Sequence, residues 1–155
     1  MEKVVEYVGS SRSRRFRAMT PQVAGAVFAV TLAFMLLLPF VRLSLDGAGE
    51  SETLLFLTKT DFGVNVFALI LLLMPVAGIA ASLSLREDLA LLADAVFAAV
   101  GVVMIPLTIL TLGHAAGGNS SLASHVAPDV GTIMVLIMLC VIAISSGIAA
   151  FQTRR

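Results

Sequence analysis

Long runs without a charged side chain alternate along this chain with short polar stretches, and the run lengths decide the reading. A bilayer core about 30 Å thick is crossed by about 20 apolar residues in a helix. Four stretches reach that length: Gln22 to Val41, Gly63 to Leu85, Leu89 to Leu112 and Pro128 to Phe151. Each is bounded by charged or turn-forming residues, and each is too long for a buried strand. The pattern predicts an all-α integral membrane protein, a four-transmembrane-helix bundle over residues 22–151 (spans 22–41, 63–85, 89–112 and 128–151). A basic arm, 1–21, precedes it and a basic tail, 152–155, follows. The first apolar run extends from Val23 to Leu45 with one interruption at Arg42. That length exceeds a cleavable signal core, so it is taken as a retained first span.

Composition strengthens this reading. Of 155 residues, 59% are hydrophobic and 13% charged, against roughly half and a quarter in soluble domains. A soluble domain of this size could not hide so much apolar surface. Net charge is zero, so no global field points to nucleic acid. The basic residues are unevenly placed, and Lys and Arg are retained on the cytoplasmic side of a membrane. Lys3, Arg12, Arg14, Arg15, Arg17, Arg86, Arg154 and Arg155 fall on one side, and only Arg42 and Lys59 on the other. Both termini are therefore expected in the cytoplasm, in the inner membrane of a prokaryote. Arg12, Arg14, Arg15, Arg17, Arg42, Arg154 and Arg155 are read as headgroup or topology residues.

The two outer loops, 42–62 and 113–127, differ in kind. The first contains LSL, then GAGESE, then TLLFLTKT, which suits either a β-hairpin or an amphipathic segment at the interface. Its apolar TLLFL is expected to be an exposed contact surface. The second is rich in Gly and Ser and reads as flexible; its Asn119-Ser120-Ser121 matches a glycosylation acceptor, a pattern common by chance. Pro39, Pro75 and Pro106 fall inside predicted spans, where kinks are expected.

Among candidate functional residues Asp94 comes first, because an ionisable group within a span is costly. It lies about 10 Å inside the cytoplasmic boundary. Ala90, Asp94, Ala98 and Gly101 share one helix face, a small-residue stripe that admits another helix closely. By depth, Ser82, Ser145 and Ser146 are its expected partners in a hydrogen-bonded layer, with Gly147 extending the small surface. Fixing helix register is the bland role; a proton or cation site is the sharper one. Asn65 is expected to cap or cross-link helices. His114 and His125 sit in the second outer loop, outside any span, where solvated histidines are expected rather than haem or metal ligands. Cys140 stands alone, which excludes an internal disulfide.

Several four-span families fail on specific residues. Disulfide-forming quinone reductases need paired cysteines, and small multidrug exporters carry a Glu in their first span. Claudin-like proteins share a long first outer loop, but their tryptophan and two-cysteine signature is missing here. No hydrolase triad, metalloprotease motif or phosphate loop is present. The expectation is a non-catalytic four-span subunit, without cofactor or metal, that docks in the bilayer on a larger membrane complex or on copies of itself. The alternative is a homo-oligomeric small transporter or channel with Asp94 as the ion-coupling group; a quinone- or pigment-holding anchor is a weaker third.

Overall fold

A computed structural model of the chain describes residues 19–45, 48–60, 63–116 and 126–153. Its elements run α1 (Pro21–Leu37), β1 (Pro39–Leu45), β2 (Ala48–Thr53), α2 (Leu54–Leu57), β3 (Lys59–Thr60), β4 (Gly63–Val64), α3 (Val66–Ser84), α4 (Glu87–Ala116), β5 (Val126–Pro128) and α5 (Val130–Thr153). The protein is mostly helical, with a small sheet. Three helices, Val66–Ser84, Glu87–His114 and Val130–Thr153, are long and apolar enough to cross a membrane, and Pro21–Leu37 is a shorter apolar helix.

The four long helices form a closed ring in which α1 packs on α3, α3 on α4, α4 on α5 and α5 back on α1. Neighbours run antiparallel. One end of the bundle carries the sheet; the other carries the α3–α4 turn at Leu85 and Arg86, with the start of α1 and the end of α5. These are called here the sheet end and the turn end.

The first apolar run does not stay helical to Val41. Thr20 caps the start of α1, its hydroxyl accepting from the Val23 N–H at 3.4 Å, with Pro21 in the first turn, where a missing N–H costs nothing. The helix ends at Leu37 because Pro39 follows. Proline disfavours a helical residue before it, and Leu38 is extended at φ −90° and ψ 147°. Pro39 is therefore not a kink within a span but the first residue of β1. Pro75 and Pro106 do lie inside continuous helices, α3 and α4.

In the first loop the hairpin occurs. Strand β1 pairs antiparallel with β2, with Arg42 opposite Ser51, and a register shift falls between Pro39 and Val41. The flanking residues 46 and 47 lie outside the described set. The apolar TLLFL is exposed only in part: Leu54–Leu57 form α2, which buries Leu54 and Leu57 and leaves Leu55 53% exposed. The second loop also contributes structure, because β5 pairs with β1, giving the order β2-β1-β5. Residues 117–125, with the Asn119 acceptor and His125, lie outside the described residues.

Close approach of the helices depends on glycine. A Cβ at Gly78 would strike the Phe28 ring, one at Gly101 would lie 2.9 Å from Leu139 Cδ1, and one at Gly131 would meet the Pro39 backbone carbonyl. The main core includes Phe28, Met35, Leu71, Ala98, Leu139 and Ile142. A second, smaller cluster of Met19, Ala24, Leu91, Ala149 and Ala150 fills the turn end.

Candidate functional site: a buried carboxylate at the turn end

Three helices pass from the main core to the smaller cluster across a polar or small residue. On α4 the passage runs Ala98, Asp94, Leu91; on α5 it runs Ile142, Ser146, Ala149; on α1 it runs Phe28, Gly25, Ala24. The apolar interior is thus interrupted by one layer. Asp94 and Ser146 are both 0% exposed. Their common level follows from the helix contact above it. Gly101 on α4 lies against Leu139 on α5, and seven residues along each antiparallel helix lead to Asp94 and Ser146, on the same two faces.

On α3, Ser82 completes the layer. Its hydroxyl lies 3.1 Å from Asp94 Oδ2 and 3.2 Å from Oδ1, donating to the carboxylate. Across from it is Gly25, where a Cβ would come within 3.2 Å of the Ser82 Cβ. A larger residue on α1 would press on this hydroxyl.

Ser146 differs from the other buried hydroxyls. Thr31 and Thr108 each return their proton to the carbonyl four residues back, Val27 and Met104, at 2.8 Å. Ser146 Oγ is buried and has no partner among the described residues. The hydrogen-bonded layer expected from sequence therefore forms only in part: Ser82 reaches Asp94, Ser146 stands level with it unbonded, and Ser145 is half-buried beside the layer. The small-residue stripe Ala90, Ala98 and Gly101 is buried within the chain, with Gly101 against α5, so it serves internal packing. Gly147 makes no close approach, since a Cβ there would meet open space.

Access to this layer comes from the turn end. A cleft of about 330 Å³ is lined by Thr20, Pro21, Gln22, Ser82, Leu85 and Glu87. Ser82 thus belongs both to the cleft wall and to the Asp94 contact. A second concavity, of about 350 Å³, lies between α1 and α5, and apart from Gln22 its lining is apolar: Val23, Ala26, Val27, Val30 and Met138.

The sheet end holds a second polar cluster that spacing did not reveal. Asp129, one residue before α5, is 9% exposed at its side chain and Arg42 is 62% exposed, with Arg42 Nε 3.8 Å from Asp129 Oδ2. Ser51 donates to the same oxygen at 2.8 Å, and the Val130 N–H to Oδ1 at 2.7 Å. The Val130 N–H and then the Ser51 hydroxyl hold the Asp129 carboxyl below its usual range, against an opposing effect of burial that is smaller than either but larger than the help given by the Arg42 charge. Phe40 O accepts from the Asp129 N–H at 3.0 Å and from the Thr132 hydroxyl. Arg42, expected as a headgroup anchor with pairing to Asp46, Asp61 or a partner subunit as the alternative, lies beside Asp129; Asp46 and Asp61 lie outside the described residues. An acid just before an apolar helix is a start signal, and it was the available clue.

Asn65 both caps and cross-links: it accepts from the Phe67 and Ala68 N–H groups at 3.1 and 3.2 Å and donates to Thr111 Oγ1 at 3.3 Å. His114 is exposed on the last turn of α4, and no group of three metal-ligating side chains occurs among the described residues. Arg12, Arg14, Arg15, Arg17, Arg154 and Arg155 lie outside those residues. Comparison with protein-family models, with curated proteins and with solved structures finds no match for this chain.

Proposed function

We propose that the chain is a four-span membrane protein of the prokaryotic inner membrane, with both termini and the turn end cytoplasmic, acting as a non-catalytic accessory subunit. The observation that carries this reading is the division of surfaces. Glycine faces and polar hydroxyls are largely spent on internal packing, while the outward faces of α3, α4 and α5 present Leu73, Val103, Ile137 and Ile144, side chains suited to lipid or to a partner helix. Outside the helices the described residues include the sheet, fastened to α5 through Asp129. In this reading the sheet end is the second contact with a partner complex or another copy of the chain. Gentle detergent extraction at native expression level, followed by native mass measurement, tests it. A larger assembly of fixed stoichiometry is expected, and a lone chain overturns the idea.

A second reading has an observation of its own. Ser82 joins the buried Asp94 to an open cleft, which favours a homo-oligomeric transporter or channel with Asp94 as the coupling group. Asp94→Asn then abolishes flux in proteoliposomes while the fold persists.

A further inference from the structure

The layer at Asp94 has two unmet hydrogen-bonding demands. An ionised carboxylate accepts at about four lone-pair positions and donates nothing, yet among the described residues the one side-chain donor it meets is the Ser82 hydroxyl, whose single proton is shared between both oxygens. Level with it on α5, Ser146 Oγ is buried without a partner, and such an orphan is costly. Adding one proton to Asp94 turns it from a pure acceptor into a donor as well. Ser146 Oγ makes no bond to the carboxyl in this structure; rotation of either side chain is what would bring the new O–H to that oxygen, while the carboxyl keeps the Ser82 bond.

We propose that Asp94, Ser82 and Ser146 form a proton-binding site served from the turn-end cleft. Ser82 Oγ takes a proton from a hydronium in the cleft as its own O–H proton passes to Asp94, so that hydronium and carboxylate become water and carboxylic acid. No electron moves and the hydroxyl is regenerated. Calcium and magnesium fit poorly, since they take six or more oxygens and the layer offers two carboxylate oxygens and two hydroxyls; zinc prefers nitrogen and sulfur ligands, of which the layer has none. Other titratable groups nearby are few. Among the described residues, α1 and α3 supply none, and α5 supplies only Cys140, six residues and so about 9 Å along the helix from Ser146. Exposed Arg86 and Asp88 lie at the turn and His114 at the far end of α4. Glu87 lines the cleft one heptad before Asp94.

This rests on the membrane-embedded reading and on the cleft-linked carboxylate of the transport reading, but not on transport itself. The test is infrared difference spectroscopy of the full chain in liposomes between acid and alkaline buffer. A protonated-carboxyl band is expected that titrates with pH and is lost in Asp94→Asn. Ser146→Ala is expected to displace the band, and Ser82→Ala to slow its hydrogen–deuterium exchange several-fold. Should Asp94→Asn not fold, Asp94→Glu must move the band instead. The proposal is overturned if no titrating band depends on residue 94, or if the Ser82 and Ser146 variants leave band and exchange unchanged. A normal band without proton flux refutes transport alone.

Discussion

The two ends of the bundle treat buried polarity in opposite ways. At the sheet end each polar group has several partners from different elements: Asp129 meets Val130, Ser51 and Arg42, and Phe40 O receives two donors. At the turn end, among the described residues, one carboxylate has one hydroxyl donor and a buried hydroxyl at its level has no partner. Satisfied networks rigidify, and unsatisfied ones leave room for a guest. The contrast suggests that the sheet end holds a shape and the turn end holds an exchangeable species.

The strongest way to break the contrast is to unseat the sheet end. Gly131→Val drives a side chain into the Pro39 carbonyl, where backbone must move, and is expected to cost about 3 kcal/mol or more. Thermal unfolding in detergent would read it, and an unchanged melting point would mean that α5 and β1 are not docked as described. Next comes Gly101→Leu, which overfills the contact with Leu139 and is expected to cost about 1–3 kcal/mol. It should unfold the single chain rather than merely dissociate an assembly, so a folded but dissociated protein would return the small-residue stripe to an intersubunit role.

Acid provides a gentler probe. Asp129 is held below its unfolded value, so its contribution is complete above the unfolded value of about 3.9 and is lost as pH falls through the lower folded value. Wild-type melting should fall across that acid window, and Asp129→Asn should flatten the dependence. Thr132→Val removes one of two donors to Phe40 O and is expected to cost about 1 kcal/mol. Smallest is Ser146→Ala. A buried, unpartnered hydroxyl is lost, so the variant should be no less stable than the wild type; a clear loss would show that Ser146 is hydrogen-bonded to Asp94 or to a guest, which sharpens the contrast between the ends.

What sequence made legible was largely local. Runs of apolar residues marked the four helical segments, and the small residues flanking Asp94 in its own helix placed it on a face toward protein. Where the reading went astray, local hydropathy and chain geometry disagreed. The apolar run through Leu38, Phe40 and Val41 extended the first span on hydropathy alone, yet Pro39 withdraws an N–H and forces the preceding residue out of the helix. The TLLFL segment has the same apolarity whether exposed or buried, and only the packing of α2 on α3 and its neighbours decides it. Asp129 and Arg42 are 87 positions apart by their numbers, and no local pattern joins them. The short β5 strand lay inside a stretch whose Gly and Ser content suggested flexibility, and it became ordered because β1 offered it an edge.

The latch at the sheet end also bears on biosynthesis. Ser51 bonds a residue 78 positions later and Phe40 one 92 positions later, and both of those partners stand at the threshold of the last helix. While a ribosome is still making α3 and α4, β1 and β2 have emerged but nothing yet exists to fasten them. The third strand, β5, is made only after α4, and Asp129 and Thr132 follow it, so the latch can close only once the start of α5 has been made. A chain that stalls before β5 would expose an unpaired β1 edge, and one that loses α5 an uncovered Pro39 carbonyl. Those are the marks by which quality control could distinguish an unfinished molecule from a finished one.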